Sequence, residues 1–160
     1  MVFDRSASTG NREGNRALTY IVAWGRGNRR PSSTVAELDA ALDEAAASNV
    51  PQVVGIYPPE YLAGDASPWD GPLPPALQIG VGHPDRSFVL WLGPEGGVEV
   101  EAGAPPWPSG APDIAFGYGG DAVFAGPARA RVTPATARQA AREFVRTGQR
   151  PTCVQWASEQ

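Results

Sequence analysis

Short apolar runs along the chain predict most of its strands. The runs at residues 18–24 and 52–57 are rich in β-branched and aromatic side chains and predict two strands, whereas the GRGNRRP segment after the first predicts a loop. Three further runs are separated by the turn sequences GHPD and PEGG, which predicts an antiparallel meander. These runs are ALQIGVG, RSFVLWLG and GGVEVEA.

Two segments place apolar residues three and four positions apart, the spacing of one helix face. The first helix is predicted to start after an N-cap at Ser33 or Thr34 and to end near Ala47. The second is predicted to start after an N-cap at Thr133, followed by a proline, and to end at Gly148. Both should pack one apolar face on a sheet.

The remaining patterned segments complete the fold. IAFGYGGDAVFAGP predicts a hairpin that turns at Gly119 and Gly120, and RPTCVQW predicts a last short strand that pairs with the sheet. The order of elements predicts an α+β fold, a mainly antiparallel sheet with two helices packed on it. With 160 residues, the chain fits a single domain, predicted over residues 17–160 after a flexible N-terminal arm, residues 1–16.

Charge is unevenly distributed, although the whole chain carries a net charge of only -4. Between Glu60 and Ala125 nine carboxylates stand against Arg86 alone, a net charge of -8. In VEVEA the valines alternate with Glu99 and Glu101, so both carboxylates share one strand face. The acidic middle is either a set of solvated loops or a surface that steers a basic partner.

Two proline-rich connections interrupt the patterned segments, at residues 58–75 and 102–113. Each carries a tryptophan, Trp69 in the first and Trp107 in the second. Tryptophan is enriched at binding hot spots, and loops stiffened by proline lose less entropy on binding. These tryptophans either pack over the sheet or anchor a partner.

Candidate catalytic groups are few. Cys153 and His83 are the only cysteine and histidine, but the first lies in a short apolar strand and the second in a predicted turn, so we expect no catalytic pair. Neighbouring carboxylates on one strand face do not span a cleft as an acid and base must. The G-x-G sequences lack a following helix start. We therefore expect no catalytic, metal or cofactor site.

The arginines of the second predicted helix and the lack of long apolar segments indicate which partners and which cellular location to expect. Arg138, Arg142 and Arg146 share one helix face, but an acidic chain is a poor binder of phosphates, so this face is interpreted as solvated rather than as a nucleic-acid site. The sequence contains neither an apolar stretch long enough to span a bilayer nor an N-terminal secretion signal. The expectation is a cytoplasmic protein without a membrane partner.

Together these segments resemble the immunity protein 1 family of bacterial polymorphic toxin systems, from about Thr34 to Trp156. The resemblance rests on the helix and strand order, on FGYGG and on the ending RPTCVQW. One departure is Gln155, where the family more often has a glutamate before the tryptophan. The most specific residues are Tyr118, Gly119, Gly120, Gly148, Arg150, Pro151, Cys153 and Trp156.

The resemblance implies a protein that binds and neutralises a cognate bacterial toxin, often of the nucleic-acid deaminase type, and that uses Cys153 structurally within a strand. The hypothesis is that acidic and aromatic side chains cover the toxin's active-site cleft. The candidate toxin contacts are Asp65, Trp69, Asp70, Glu99, Glu101, Trp107 and Asp113. Two alternatives stay open: a non-catalytic regulatory or self-associating module, such as a homodimer, and an enzyme that depends on Cys153 and His83.

Overall fold

Two α-helices and nine strands form the part of the chain that the computed structural model describes, namely residues 19–62, 74–93, 98–100, 112–125 and 130–157. The predicted α+β fold is confirmed. A short 3-10 helix spans Pro59–Leu62 within the first proline-rich connection. The elements are β1 (Tyr20–Trp24), β2 (Asn28–Ser32), α1 (Val35–Ala46), β3 (Gln52–Tyr57), β4 (Ala76–Val81), β5 (Val89–Leu92), β6 (Val98–Val100), β7 (Ile114–Tyr118), β8 (Asp121–Ala125), α2 (Pro134–Thr147) and β9 (Gln155–Ala157).

Seven strands form one sheet in the order β2-β1-β3-β4-β5-β6-β9, and neighbours along this path are antiparallel. The predicted meander is β4, β5 and β6, and the predicted last strand does pair with the sheet, as β9 beside β6. The predicted hairpin is β7–β8. It joins the sheet through one parallel pair, Gln52 with Gly117.

The helix ends follow from their capping residues. The Thr34 hydroxyl accepts a hydrogen bond from the backbone N–H of Glu37, which satisfies a donor that the first turn leaves without a partner. The Thr133 hydroxyl does the same for α2. Gly148 ends α2 in the left-handed conformation, with φ of 71°, and its N–H donates to the Phe144 carbonyl at 2.7 Å.

Both helices pack on the same face of the sheet and form the main hydrophobic core with it. Phe144 of α2 is fully buried at its centre, with ring centroids 5.0 Å from Tyr20 and 5.7 Å from Trp91. Removal of such a ring costs about 3–5 kcal/mol of stability in proteins generally. The opposite face of the sheet is therefore the face that remains for other contacts.

Two sequence predictions differ from the structure. The predicted loop GRGNRRP is wrong, because its second half is strand β2, which pairs with β1 across a turn at Gly25 and Gly27, both with positive φ. Pro31 is tolerated in β2 because β2 ends the sheet path, and an edge strand does not need every N–H for pairing. The last strand is also shorter than predicted, so Cys153 lies in the bend before β9 rather than in a strand.

Candidate functional site

The hairpin β7–β8 lies over the sheet face opposite the helices. Phe116 of β7 is fully buried there and packs edge-on against Phe88, with ring centroids 5.1 Å apart. With Val53, these rings belong to a second hydrophobic cluster, separate from the main core. The hairpin is therefore held by packing as well as by its pairing with β3.

Two glycines permit this close approach. A Cβ atom on Gly80 would lie 2.6 Å from the Phe116 ring, and one on Gly117 would lie 2.9 Å from the Gln52 amide. The Gly117 N–H also donates to the Pro51 carbonyl at 2.7 Å. The absence of side chains at both positions lets the hairpin sit directly on the sheet.

A groove of about 640 Å³ opens where the sheet face extends beyond the hairpin. Its floor includes Gly55, against which the Tyr57 ring folds, and the Tyr57 hydroxyl accepts a hydrogen bond from the Gln78 amide at 3.0 Å. Tyr118 and Gly119 of the hairpin form one wall. The groove thus offers hydroxyl, amide and aromatic groups, which suit hydrogen bonding and stacking rather than acid–base chemistry.

The hairpin carries most of the large apolar side chains that are exposed in the described part of the chain. Tyr118 is 48% exposed, Val123 37% and Phe124 61%, and Val50 lies nearby at the edge of a cavity shared with β7 and β8. A cluster of exposed apolar and aromatic groups beside a groove is typical of a protein interaction site.

The hairpin turn has the geometry that its sequence predicts. Gly119 and Gly120 have φ of 62° and 95°, which match a two-residue type I′ turn. Arg26 lies against Gly120, where a Cβ atom would collide with its guanidinium. Any side chain at either position would meet backbone strain, and at Gly120 it would also displace Arg26.

The charges between the two helices pair with each other. Arg142 donates to both carboxylate oxygens of Asp39 at 3.0 Å, and Arg138 contacts Asp39 and Asp43. On the face of α2 that the sequence analysis interpreted as solvated, two of the three arginines therefore form ion pairs with α1. On β2, Arg30 reaches Glu44 of α1 in the same way. These arginines are engaged within the protein, which makes that face a weaker candidate for binding a partner.

The predicted family residues near the chain end have structural contacts. The Trp156 indole donates to the Pro151 carbonyl at 2.7 Å, and the Arg150 guanidinium lies 5.3 Å from the Trp156 ring centroid. Trp156 also packs near Trp91 of the main core. Cys153 is partly buried against that core. Gly148, as described, caps α2.

Glu143 of α2 is hydrogen-bonded to Thr152 in the segment that follows the helix. Its carboxylate accepts hydrogen bonds from both the N–H and the hydroxyl of Thr152, at 2.8 Å each. Partial burial acts to raise the pKa of Glu143, but the hydrogen bonds from Thr152 and Cys153 outweigh it and hold the pKa below its usual value.

His83 forms hydrogen bonds within its own turn. Its Nδ1 atom accepts hydrogen bonds from the N–H groups of Asp85 and Arg86, both at 3.1 Å. Cys153, in contrast, packs beside Trp156 and the main core. In the described residues no group of three or more histidine, cysteine or carboxylate side chains is arranged to hold a metal ion.

Most candidate toxin contacts lie outside the residues that the structure describes. Asp113 is exposed just before β7, and Glu99 lies on β6 opposite Trp156 of β9, with only its backbone described. The other candidates lie outside the described residues: Asp65, Trp69, Asp70, Glu101 and Trp107. The predicted arm, residues 1–16, lies outside them as well.

Sequence reasoning found the hairpin but missed the groove beside it. Tyr57, Gln78 and Phe124 were not among the candidates. A usable signal existed for Phe124, because the Gly119–Gly120 turn fixes which residues pair across the hairpin, and Phe124 falls opposite the small residue Ala115. No comparable signal pointed to Tyr57 and Gln78, which meet only when β3 and β4 pair.

A family model described as Immunity protein Imm1 matches residues 26–158, most of the chain. The chain belongs to the Imm1 family of immunity proteins. The resemblance drawn from the sequence is therefore confirmed. No curated protein and no solved structure gives a significant match. Within the described residues, neither helix has the length and apolar character needed to cross a bilayer.

Proposed function

We propose that this Imm1 protein neutralises a cognate toxin by binding it with the hairpin β7–β8 and the adjoining groove. The observation that carries the proposal is the exposure of Tyr118, Val123 and Phe124 on the hairpin, together with the groove of hydrogen-bonding groups that Tyr118 lines. An immunity protein has to hold its toxin in a lasting complex. Aromatic anchors in a largely preformed site are the usual source of such lifetimes.

The rigidity of the hairpin supports this role. Its inner side is fixed by Phe116, and its first strand, β7, is held by the hydrogen bond from the Gly117 N–H to the carbonyl of Pro51, just before β3. A surface that is already ordered loses little conformational entropy when it binds. The exposed side chains are therefore presented by a stable framework.

Charge indicates the kind of toxin surface that would fit. The segment from Glu60 to Ala125 has a net charge of -8, and it includes the hairpin and the exposed Asp113. We propose that its carboxylates stand where substrate phosphates would lie in a basic, nucleic-acid-binding cleft, so that the protein covers the toxin's active site. A toxin of the deaminase type, which the family resemblance implies, has a substrate of this chemistry.

We also propose that neutralisation requires binding alone and no catalysis. His83 Nδ1 is occupied by the backbone of its own turn, and Cys153 packs beside Trp156 and the core. The groove contributes neutral hydroxyl and amide groups. These arrangements suit a partner that is held rather than a substrate that is converted.

The test is co-purification with the toxin domain encoded immediately upstream, followed by an assay of toxin activity. The wild-type protein should form a stable complex in which the toxin is inactive. Tyr118→Ala should weaken the complex roughly tenfold to a hundredfold, since a buried tyrosine at an interface centre is a typical hot spot.

Arg146→Ala is the matched control, because Arg146 is exposed on α2, which packs on the other face of the sheet. It should leave the affinity unchanged within about twofold, as expected for a residue outside the interface. Failure of the wild-type protein to bind any neighbouring gene product would reject the proposed function. Equal losses for both variants would reject the hairpin as the binding site.

A further inference from the structure

The outer edge of β8 has exposed side chains and, in the part of the chain that the structure describes, no strand paired with its backbone groups. Within the described residues β8 pairs only with β7, and positions 121–124 are all exposed. An exposed edge strand without proline or lysine is a template for pairing with another strand. The edge of β2, by comparison, contains Pro31 and two arginines.

The register shows which backbone groups are available. Gly117 donates its N–H to the carbonyl of Pro51, the residue before β3, so it does not bond Ala122, the residue opposite it on β8. In an antiparallel ladder such a pair is non-hydrogen-bonded, and its N–H and C=O groups point away from the partner strand. Ala122 therefore directs its N–H and C=O to the free edge.

Phe124 lies two residues further along β8 and follows the same rule, since backbone direction alternates with a period of two. The free edge thus presents the donors and acceptors of Ala122 and Phe124, while Val123 between them faces β7. The two-residue turn at Gly119–Gly120 gives the same alternation, because it makes the flanking Tyr118–Asp121 pair hydrogen-bonded.

We propose that an extended, basic segment of the cognate toxin adds to β8 as a further strand, with Phe124 as its aromatic anchor. This inference rests on the proposed function and names how the hairpin recognises its partner. Backbone pairing would supply affinity, and the 61% exposed Phe124 would contact a side chain across the added strand.

Charge favours a toxin segment over a second copy of this chain. Two copies joined at β8 would bring two acidic segments together, each with a net charge of -8 between Glu60 and Ala125. Like charges placed together across an interface oppose association. Asp121 on β8 and the exposed Asp113 before β7 would instead attract a basic strand.

The decisive variant is Ala122→Pro, which removes an N–H at the free edge without removing a hydrogen bond to β7. It should weaken toxin binding about tenfold, because an acceptor on the added strand then loses its donor. Ala115→Pro is the matched control. Ala115 is also exposed and also occupies a non-hydrogen-bonded position of the hairpin, but it lies on β7. Its N–H therefore points away from the outer edge of β8. The affinity for the toxin should change less than about threefold in this variant.

Amide hydrogen exchange gives a second readout that does not depend on a variant. In the free protein the amides of Ala122 and Phe124 should exchange quickly and that of Val123 slowly, and complex formation should slow the first two by about tenfold or more. A complex in which both amides exchange as in the free protein would overturn the added strand while leaving toxin neutralisation intact.

Absence of any complex would instead overturn the proposed function, so the two failures are distinguishable. The sedimentation behaviour of the free protein provides the last comparison. One outcome would contradict the proposal: a dimeric wild-type protein, a monomeric Ala122→Pro variant and equal toxin binding by both. The strand edge of β8 would then pair with a second copy of this chain instead of with the toxin. A monomeric wild-type protein whose toxin affinity falls in Ala122→Pro supports it.

Discussion

At the residue scale, Glu143 shows how one carboxylate positions the chain end. It accepts two hydrogen bonds from Thr152, and its pKa is lowered by these and by Cys153 despite partial burial. The contact holds the bend before β9, from which Trp156 reaches the Pro151 carbonyl. A charged acceptor makes stronger hydrogen bonds than a neutral one, so this anchor depends on ionisation.

Glu143→Gln should therefore lower stability in a way that depends on pH. A carboxyl group with a lowered folded-state pKa stabilises the fold above its unfolded pKa, and this contribution is lost as the pH falls through the folded value. At pH 7 the wild type should have the higher unfolding temperature. Its free energy of unfolding should exceed that of the variant by less than about 1 kcal/mol, because the group is not deeply buried. The difference should begin to shrink as the pH falls below the ordinary glutamate pKa of about 4.3 and should vanish once the pH is below the lowered folded-state pKa. Thermal unfolding at several pH values measures it, and a pH-independent difference would contradict the assignment.

At the element scale, the two helices are joined by charge as well as by apolar packing. Asp39 of α1 receives both Arg138 and Arg142 of α2, and its side chain is 28% exposed, whereas that of Asp43 is 71% exposed and contacts Arg138. The bidentate contact from Arg142 fixes the relative position of the helices better than a single exposed pair does.

Asp39→Asn should thus destabilise the protein by about 1 kcal/mol, a fall in melting temperature of about 2–4 °C for a domain of this size. Asp43→Asn is the matched control on the same helix and should cost less than about 0.5 kcal/mol. The effect of Asp39→Asn should shrink at high salt, because partly exposed ion pairs are screened. Equal costs for both variants would show that the bidentate contact contributes nothing beyond a surface pair.

At the scale of the whole molecule, charge is unevenly distributed along the chain. The helical side carries its arginines in pairs with Asp39, Asp43 and Glu44. The acidic segment from Glu60 to Ala125 supplies β4 to β8, including the exposed hairpin. A field of one sign over one region accelerates association with an oppositely charged partner and falls with ionic strength.

Replacement of Glu99 and Glu101 by lysine should slow association with the toxin at low salt, because it changes the net charge of the segment from Glu60 to Ala125 from -8 to -4. The dissociation rate should change much less, since long-range charge acts mainly on the encounter of the two proteins. Stopped-flow association measured at two ionic strengths provides the check. An association rate that is the same in wild type and variant at low salt would reject electrostatic steering.

The sequence by itself determined the local elements. The helix caps, the glycine that ends α2 and the glycine pair in the hairpin are set by interactions within a few residues. The structure selects Thr34 from the predicted N-caps Ser33 and Thr34 of α1, and it agrees with the predicted Thr133, Gly148, Gly119 and Gly120. The same reasoning missed β2, because a strand with arginines and a proline has no apolar pattern. Its assignment depends on pairing with β1.

Only the tertiary structure decided which face the hairpin covers and what it leaves open. The groove brings Tyr57 and Gln78 together from different strands, and the arginines of α2 meet Asp39 about a hundred residues earlier in the chain. The free edge of β8 likewise follows from its place outside the main strand order. These features arise from packing between segments that are far apart in the chain. Local sequence patterns do not encode such packing, because periodicity determines on which face of an element a side chain lies but not which other element packs against that face.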